Sequence, residues 1–138
     1  MHERREVPHG PENPSVAWFR SGTMSVSKLE HYILSPLHPT GQHKARRWHS
    51  VFGLGPGQGL SLARLIFDQL AQVEAIEERK PKAHEEDPSR LTRRFTLDIP
   101  RFEGPNGNVA PVRTNWALDP DKDEPHLATA FPKKTTKS

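Results

Sequence analysis

The strongest constraint on the fold is a change in the spacing of apolar residues near the middle of the chain. Before residue 80 they recur at helical spacing, most regularly at Leu62, Leu65, Ile66, Leu70, Val73 and Ile76. From residue 91 onward the period becomes two, as in the series Leu91, Phe95, Leu97 and Ile99. Helices followed by alternating strands predict an α+β fold, in which N-terminal helices pack on one face of a small antiparallel sheet.

Three helices are predicted in the first half of the chain. Ser27 and Glu30 have the spacing of a capping box and mark the start of the first helix, which ends before the next proline. A second helix, capped by Thr40, continues to about residue 52, where a glycine-rich run interrupts the chain. The third helix spans about residues 61–78 and has the most continuous apolar stripe.

The second half predicts an antiparallel meander of three to four strands. The three clear strands cover about residues 91–99, 112–118 and 126–131. Between the first two, the GPNG sequence at residues 104–107 supplies an Asn-Gly hairpin turn. Residues 16–20 (VAWFR) are a candidate fourth strand, and residues 80–89 have the composition of a linker.

The net charge belongs to the C-terminal tail rather than to the whole chain. The 20 Lys and Arg exceed the 17 Asp and Glu by 3, and the lysines of the terminal sequence PKKTTKS account for that entire excess. We therefore divide the chain into a flexible N-terminal extension at residues 1–23, one α+β domain at residues 24–132 and a basic tail at residues 133–138. The body is nearly neutral, so the distribution of its charges matters more than their sum.

Composition excludes several classes of protein and site. The absence of Cys removes disulfide frameworks, thiol nucleophiles and thiolate zinc sites, and no apolar run approaches the roughly 18 residues of a membrane span. The N-terminus lacks the apolar segment of a signal peptide, which favours the cytoplasm, although signal-independent export would leave no such trace. The glycine run at residues 53–59 lacks the Gly-Lys-Ser/Thr ending of a phosphate loop, and the aspartates of residues 119–123 lack the glycine and glutamate of a calcium loop. We therefore expect neither a metal ion nor a cofactor.

The charges of the body are segregated. Residues 38–49 contain no acidic residue, and they lie at a predicted helix N-terminus, whose dipole favours anions. The basic and titratable residues of this segment are His38, His43, Lys44, Arg46, Arg47 and His49. Arg94 on the first strand and Arg113 on the second extend the basic surface, whereas acidic residues gather in residues 74–87 and 119–124. The pattern predicts a polyanion as partner, with a solvated basic helix face as the plain alternative.

Imidazoles and cations suit the cleavage of RNA through its own 2′-hydroxyl group, a reaction that needs no metal ion. One group removes the hydroxyl proton, another protonates the leaving 5′-oxygen, and cations stabilise the charge on phosphorus. Histidine can perform either proton transfer near neutral pH. The candidates for phosphate binding are Lys44, Arg46, Arg47 and Arg113. Trp48 or Trp116 could stack on a base, although tryptophans in such positions more often belong to the core.

Four short motifs occur in an order that resembles a bacterial domain family. They are HPTGQHKAR at residues 38–46, GPNG at 104–107, VRTNW at 112–116 and PHLATAF at 125–131. The family's domain is found at the C-terminal ends of polymorphic toxins and in phage-related proteins. It is similar in layout to the RNases of the barnase, EndoU, colicin and RelE group, which place helices before a small antiparallel sheet. The resemblance covers about residues 28–132.

This resemblance implies functional positions at His38, Lys44, Arg113 and Thr129. Phe131 stands where the family pattern has tyrosine, so no phenol is available there. Strand alternation places Thr129 on the same side as Leu127 and Phe131, which predicts that Thr129 points inward. The same alternation predicts that Arg113 and Trp116 lie on opposite faces of the sheet.

The leading prediction is a metal-independent ribonuclease toxin domain, in which His38 transfers protons while Lys44 and Arg113 stabilise the phosphate. His43 is the second candidate acid or base, and Thr129 is a further catalytic candidate. The candidate substrate contacts are Arg46, Arg47, Arg94 and Trp116. RNA is the expected substrate, with tRNA as one candidate, and an acidic immunity protein or antitoxin is the expected protein partner. The site of action is a bacterial cytoplasm, reached directly or by delivery within a secreted effector.

A non-catalytic module is the main alternative. It would be a phage or bacterial binding or inhibitor protein that uses the same basic helix to bind nucleic acid or a protein partner. Binding that depends on salt, without turnover, would indicate this alternative. A third interpretation is an immunity or scaffold protein that carries a basic face.

Overall fold

The computed structural model describes residues 9–134 of the chain. Its helices are α1 (Val16–Arg20), α2 (Val26–Lys28), α3 (Gln42–Phe52) and α4 (Gly59–Gln69); α2 continues as a π-helical turn over Leu29–Ile33, and α4 as a 3₁₀ turn over Leu70–Gln72. The strands are β1 (Ile76–Ala83), β2 (Leu91–Glu103), β3 (Val109–Leu118) and β4 (His126–Pro132).

The four strands form one antiparallel meander in the order β1-β2-β3-β4. Alternate residues of the strands, such as Leu97, Ile99 and Val112, are buried against the helices. We call this side the inner face of the sheet and the opposite side the outer face. The predicted α+β fold, with helices packed on an antiparallel sheet, is therefore confirmed.

The strand at the edge of the sheet, β1, corrects two predictions. Residues 76–78 were expected to end the third helix and residues 80–83 to start a linker, but this segment pairs with β2, with Ile76 opposite Leu97. After Ile76 every residue of β1 is exposed, so the strand shows no alternation of apolar and polar residues. Pro81 lies in the irregularity between Arg79 and Lys82, the kind of edge position in which a strand tolerates proline.

The N-terminal segment is also different from the prediction. Residues 16–20 form helix α1, capped by the Ser15 side chain, and not a strand. The ring of Phe19 is fully buried in the core and lies 5.2 Å from that of Phe95, centre to centre. Thr23 makes a parallel bridge to His126. Residues 15–23 are therefore part of the packed body, whereas residues 1–8 of the predicted extension lie outside the described residues.

Two helix starts use different caps from those predicted. Ser25, rather than Ser27, caps α2, since its hydroxyl accepts a hydrogen bond from the amide of Lys28 at 3.1 Å. Helix α3 starts at Gln42 without a side-chain cap, so Thr40 does not have the predicted role. Glu30 instead reaches across to the start of α4, where its carboxylate accepts hydrogen bonds from the amides of Gly57 at 2.7 Å and of Gly59.

Two tryptophans fix the helices and the sheet to each other. Trp48 of α3 is fully buried, and its indole N–H donates to the carbonyl of Ala130 in β4 at 3.0 Å. Trp116 of β3 is 1% exposed, and its indole donates to the Thr114 hydroxyl at 2.8 Å. Both side chains are satisfied inside the core. The predicted role of Trp116 as a substrate contact is therefore wrong, because no base can reach its ring.

The carboxylate of Glu30 is expected to contribute to stability in a pH-dependent way. The amides of Gly59 and Gly57 lower its pKa from the ordinary 4.5. Because the pKa in the folded state is depressed, the contribution is complete above pH 4.5 and is lost as the pH falls through the lowered value. Glu30→Gln should reduce the free energy of unfolding by about 1 kcal/mol at neutral pH. Urea titrations at neutral and acidic pH test this, and a difference that stayed constant well below pH 4.5 would contradict it.

Candidate functional site

The outer face of the sheet is open and polar, and its pattern is set by a bulge in β4. Thr129 pairs with Asn115 and Leu127 with Trp116, so Ala128 is an extra residue that changes the alternation. As a result Thr129 shares the outer face with Phe131, while Leu127 is buried on the inner face. The prediction that Thr129 points inward was wrong for this reason.

A cleft with basic walls lies where α3 runs along the edge of β4. We call it the basic groove; its volume is about 430 Å³. It is lined by His43, Lys44 and Arg47 from α3, Arg113 from β3, and Phe131, Pro132, Lys133 and Lys134 from β4 and the residues after it. Three of the predicted catalytic residues, His43, Lys44 and Arg113, thus come together, although they belong to different elements.

Arg47 joins the two walls of the groove. Its guanidinium donates to the carbonyl of Pro132 at 3.2 Å and to that of Lys133 at 2.9 Å. Backbone carbonyls carry no formal charge, so these bonds position the cation without neutralising it. They also fix the first residues of the predicted basic tail against α3. Lys133 and Lys134 are therefore part of the site, and the remainder of the tail lies outside the described residues.

Arg113 is held in place by a carboxylate on the neighbouring strand. Its Nε and Nη2 atoms donate to the two oxygens of Asp98 at 2.9 and 3.0 Å, and the Lys133 ammonium reaches the same carboxylate at 3.1 Å. The hydrogen bond from Arg113, together with Lys133, keeps the pKa of Asp98 below its usual 3.8. One negative charge is thus shared by two cations. Arg113, Lys133 and Asp98 together carry a net positive charge, and the two bonds to Asp98 fix the orientation of the planar guanidinium.

Lys44 and Phe131 form the central part of the groove. The Lys44 ammonium lies 4.4 Å from the centre of the Phe131 ring, a cation–π contact between α3 and β4. Phe131 is opposite Arg113 in the sheet register, so one partly exposed ring lies next to two cations. Such a ring offers an apolar surface beside two groups that can bind an anion.

His38 is not among the residues that line the groove. Its Nδ1 atom accepts hydrogen bonds from the amides of Thr40 at 3.1 Å and Gly41 at 3.3 Å, and its ring packs edge-on against Tyr32. These bonds satisfy amides just before α3, where a Ser or Asp cap is more usual. The geometry therefore gives His38 a structural role at the start of the helix and does not bring it to the groove with Lys44 and Arg113.

Two of the predicted substrate contacts lie elsewhere. Arg46 is exposed and donates to Gln42 on its own helix at 3.0 Å. Arg94 is on the outer face, but its guanidinium donates to the Lys80 carbonyl at 2.9 and 2.7 Å, away from the groove. Neither lines the groove, whereas Arg47 does.

Sequence reasoning missed Asp98, Phe131 and Lys133 as members of the site. Asp98 was visible only as a polar residue in an alternating strand, and its pairing with Arg113 depends on the register between β2 and β3. Lys133 was assigned to a flexible tail. A signal was present for Asp98, because an acid and a base at matching positions of a predicted hairpin are the expected cross-strand pair.

The sheet, the groove and helices α2 to α4 all lie within one segment that matches a family model. Residues 21–134 match the domain of unknown function DUF6883. The chain belongs to the DUF6883 family. The DUF6883 segment includes every residue of the basic groove, while α1 with its buried Phe19 precedes it. No curated protein and no solved structure matches the chain.

Two further observations concern membrane-spanning helices and metal-binding clusters. Among residues 9–134, no helix has the length and apolar character required to cross a bilayer. The same residues contain no group of three or more His, Asp or Glu side chains arranged to hold a metal ion.

Proposed function

We propose that this protein is a ribonuclease that cleaves RNA at the basic groove without a metal ion. The observation that carries the proposal is the convergence of His43 and Lys44 from α3 with Arg113 from β3 in one groove. Elements distant in sequence supply an imidazole, an ammonium and a guanidinium to the same space. These groups can supply the proton transfer and charge stabilisation that attack of a 2′-hydroxyl on phosphorus needs.

Each group has a role that follows from its chemistry. The imidazole of His43 accepts the proton of the 2′-hydroxyl, whose oxygen attacks phosphorus. Arg113, held rigidly by Asp98, and Lys44 stabilise the additional negative charge of the transition state. The bond from phosphorus to the 5′-oxygen breaks, and the Lys44 ammonium supplies the proton that the leaving oxygen takes up. The products are a 2′,3′-cyclic phosphate and a free 5′-hydroxyl group.

Cleavage in the presence of EDTA is the direct test of the proposal. Purified protein incubated with RNA and excess EDTA should yield fragments that end in 2′,3′-cyclic phosphate, identified by mass spectrometry or by their resistance to polyadenylation. A DNA strand of the same sequence should stay intact, because it lacks the 2′-hydroxyl nucleophile. If ordinary RNA also stays intact under these conditions, the ribonuclease proposal is wrong.

A non-catalytic RNA-binding function is the second candidate, and one observation favours it. His43 is the one imidazole among the residues that line the groove, whereas a polyanion needs only the cations. This function predicts binding without any cleavage, and the logarithm of the association constant should fall linearly with the logarithm of the salt concentration. The slope should become shallower when Lys44 or Lys133 is neutralised.

The basic groove also suggests the type of protein that would inhibit the domain. A toxin with this activity requires an acidic immunity protein or antitoxin that covers the groove, and its toxicity would be exerted in a bacterial cytoplasm. Expression of the domain in bacteria should then arrest growth, and co-expression of the acidic partner should restore it. Growth arrest that persists in a variant without cleavage activity would contradict this part of the proposal.

A further inference from the structure

A second cavity lies on the outer face at the opposite end of β4 from the basic groove. It has a volume of about 570 Å³, and we call it the two-histidine cavity. Its cationic and titratable lining residues are Lys28, Lys82, His84, Arg94, Lys122 and His126. Four carboxylates, those of Glu85, Glu86, Asp119 and Asp121, also line it. Of these carboxylates, Asp119 is partly buried, and the other three are exposed to solvent, where their charges are screened.

Asp119 lies between the two histidines. Its Oδ1 atom is 3.6 Å from Nδ1 of His84, and its Oδ2 atom is 3.8 Å from Nδ1 of His126. The Thr92 hydroxyl donates to Asp119 at 3.3 Å and also lies 3.2 Å from Nδ1 of His84. The two separations between Asp119 and the histidines are longer than a hydrogen bond and correspond to ion pairs that form when the rings are protonated. Both imidazoles line the cavity together with its cations.

The partly buried cations of this cavity lack full compensation by the protein. Burial lowers the pKa of Lys28, outweighing the opposite effects of Glu85 and Asp119. Burial also lowers the pKa of His126, outweighing Asp119, and the nearby Lys28 and Lys122 lower it further. Arg94 bonds a backbone carbonyl and no carboxylate among the described residues. A bound anion would place negative charge beside these groups and so stabilise their protonated forms.

The cavity and the groove are connected along the outer face. Arg94, Ala117 and His126 form one cross-strand row at the cavity, and Asp98, Arg113 and Phe131 form another at the groove. The rows are four residues apart along β3, which corresponds to roughly 13 Å at the rise of a strand. Between them lies the uncharged row of Thr96, Asn115 and Thr129. Thr96 is buried and its hydroxyl donates to the amide oxygen of Asn115 at 2.9 Å, so the groups in this row that can bond bases or ribose hydroxyls are the Asn115 amide NH₂ and the Thr129 hydroxyl.

We propose that the two-histidine cavity is a second phosphate subsite, which binds a backbone phosphate of the RNA strand whose reacting phosphate lies in the basic groove. The strand crosses the outer face beside β3 and β4. It is single-stranded, because an open sheet face recognises unpaired nucleotides, whereas a duplex is held by its grooves. This inference rests on the proposed function for the position of the reacting phosphate.

The test is the dependence of binding on the length of the oligonucleotide. Fluorescence anisotropy is measured with 2′-deoxy oligonucleotides of two, four and six residues, which cannot be cleaved by the proposed reaction. The wild-type protein should bind the longer strands at least about tenfold more tightly than the dinucleotide, since a further charge-assisted phosphate contact is added. Lys28→Ala and Arg94→Ala should each remove most of this gain and leave dinucleotide binding unchanged. Arg64→Ala, which changes an exposed cation on α4, is the matched control and should keep the gain.

The pH dependence of the length effect gives a second measurement. An anion favours the protonated form of His126, whose pKa in the free protein lies below the ordinary 6.5. The gain should therefore be largest at pH values below this lowered pKa and decrease as the pH rises through it, and His126→Asn should weaken this dependence. The other charged groups around this ring, Asp119, Lys28 and Lys122, remain in that variant.

The outcomes separate the subsite from the ribonuclease proposal. A length effect that Lys28→Ala and Arg94→Ala abolish supports the subsite, even if the protein proves unable to cleave RNA. The absence of a length effect in the wild-type protein, or a gain that both variants retain, overturns the subsite. A gain lost equally in Arg64→Ala would show a general charge effect and would also overturn it. Circular dichroism of each variant excludes loss of folding as the cause.

Discussion

Replacing Lys44 or Arg113 by alanine is expected to slow RNA cleavage by about 10²-fold or more, the usual cost of removing one group that stabilises charge in a transition state. Lys44 and Arg113 approach the groove from different elements, and Phe131 lies next to both. Because the two cations act on the same charge, the double variant should be less impaired than the product of the single effects. Single-turnover rates with an end-labelled RNA provide the measurement.

The matched controls for this prediction come from the same helix and from its start. Arg46→Ala removes a cation of α3 that does not line the groove, so it should cleave at nearly the wild-type rate. His38→Ala should lower stability through the loss of bonds to the Thr40 and Gly41 amides, while the folded variant stays active. A loss in Arg46→Ala as large as that in Lys44→Ala would mean that overall charge, and not the groove, determines activity.

Trp48→Ala should have the largest effect on stability, a loss of about 3–5 kcal/mol in the free energy of unfolding. The ring is fully buried and lies 5.7 Å, centre to centre, from the rings of both Phe52 and Phe102. Its indole N–H is bonded to the Ala130 carbonyl. The substitution would leave a cavity between α3 and the sheet and an unpaired carbonyl. Urea denaturation followed by circular dichroism measures the loss.

Trp48→Phe is the graded control for this change. It retains an aromatic ring but removes the hydrogen bond to Ala130 and part of the contact area, so its cost should be smaller than that of the alanine variant. Equal destabilisation by the two substitutions would show that the hydrogen bond, and not packing, fixes α3 to β4. In either variant, RNA binding at the groove should weaken as α3 loses its fixed position over β4.

The fold was predictable for strands that bury one face, and the prediction failed for the strand that buries neither face. In β2 and β3 the alternation of apolar residues such as Leu97, Ile99 and Val112 reports a sheet with one buried face. In β1 only Ile76 is partly buried, and it also continues the helical stripe of α4. That single residue satisfies both patterns, so the local sequence could not distinguish a longer helix from an edge strand.

The site was predictable from charge but not from long-range pairing. The acid-free segment identified His43, Lys44 and Arg47, and strand alternation separated Arg113 from Trp116 correctly. Neither could show that a bulge at Ala128 reverses the orientation of Thr129. The structural role of His38 was equally hidden, because an imidazole that accepts hydrogen bonds from backbone amides has the same sequence signature as one that transfers protons.

The two edges of the sheet have a consequence for self-association. Helix α3 covers the β4 edge, with Trp48 and Arg47 bonded to its carbonyls, so that edge offers little backbone to another molecule. The β1 edge is open, but Pro81 provides no amide hydrogen there, and the neighbouring Lys80 and Lys82 would repel the same edge of a second copy. Both ends of the meander are thus protected against strand addition, which disfavours growth of the sheet from one copy to the next even at high protein concentration.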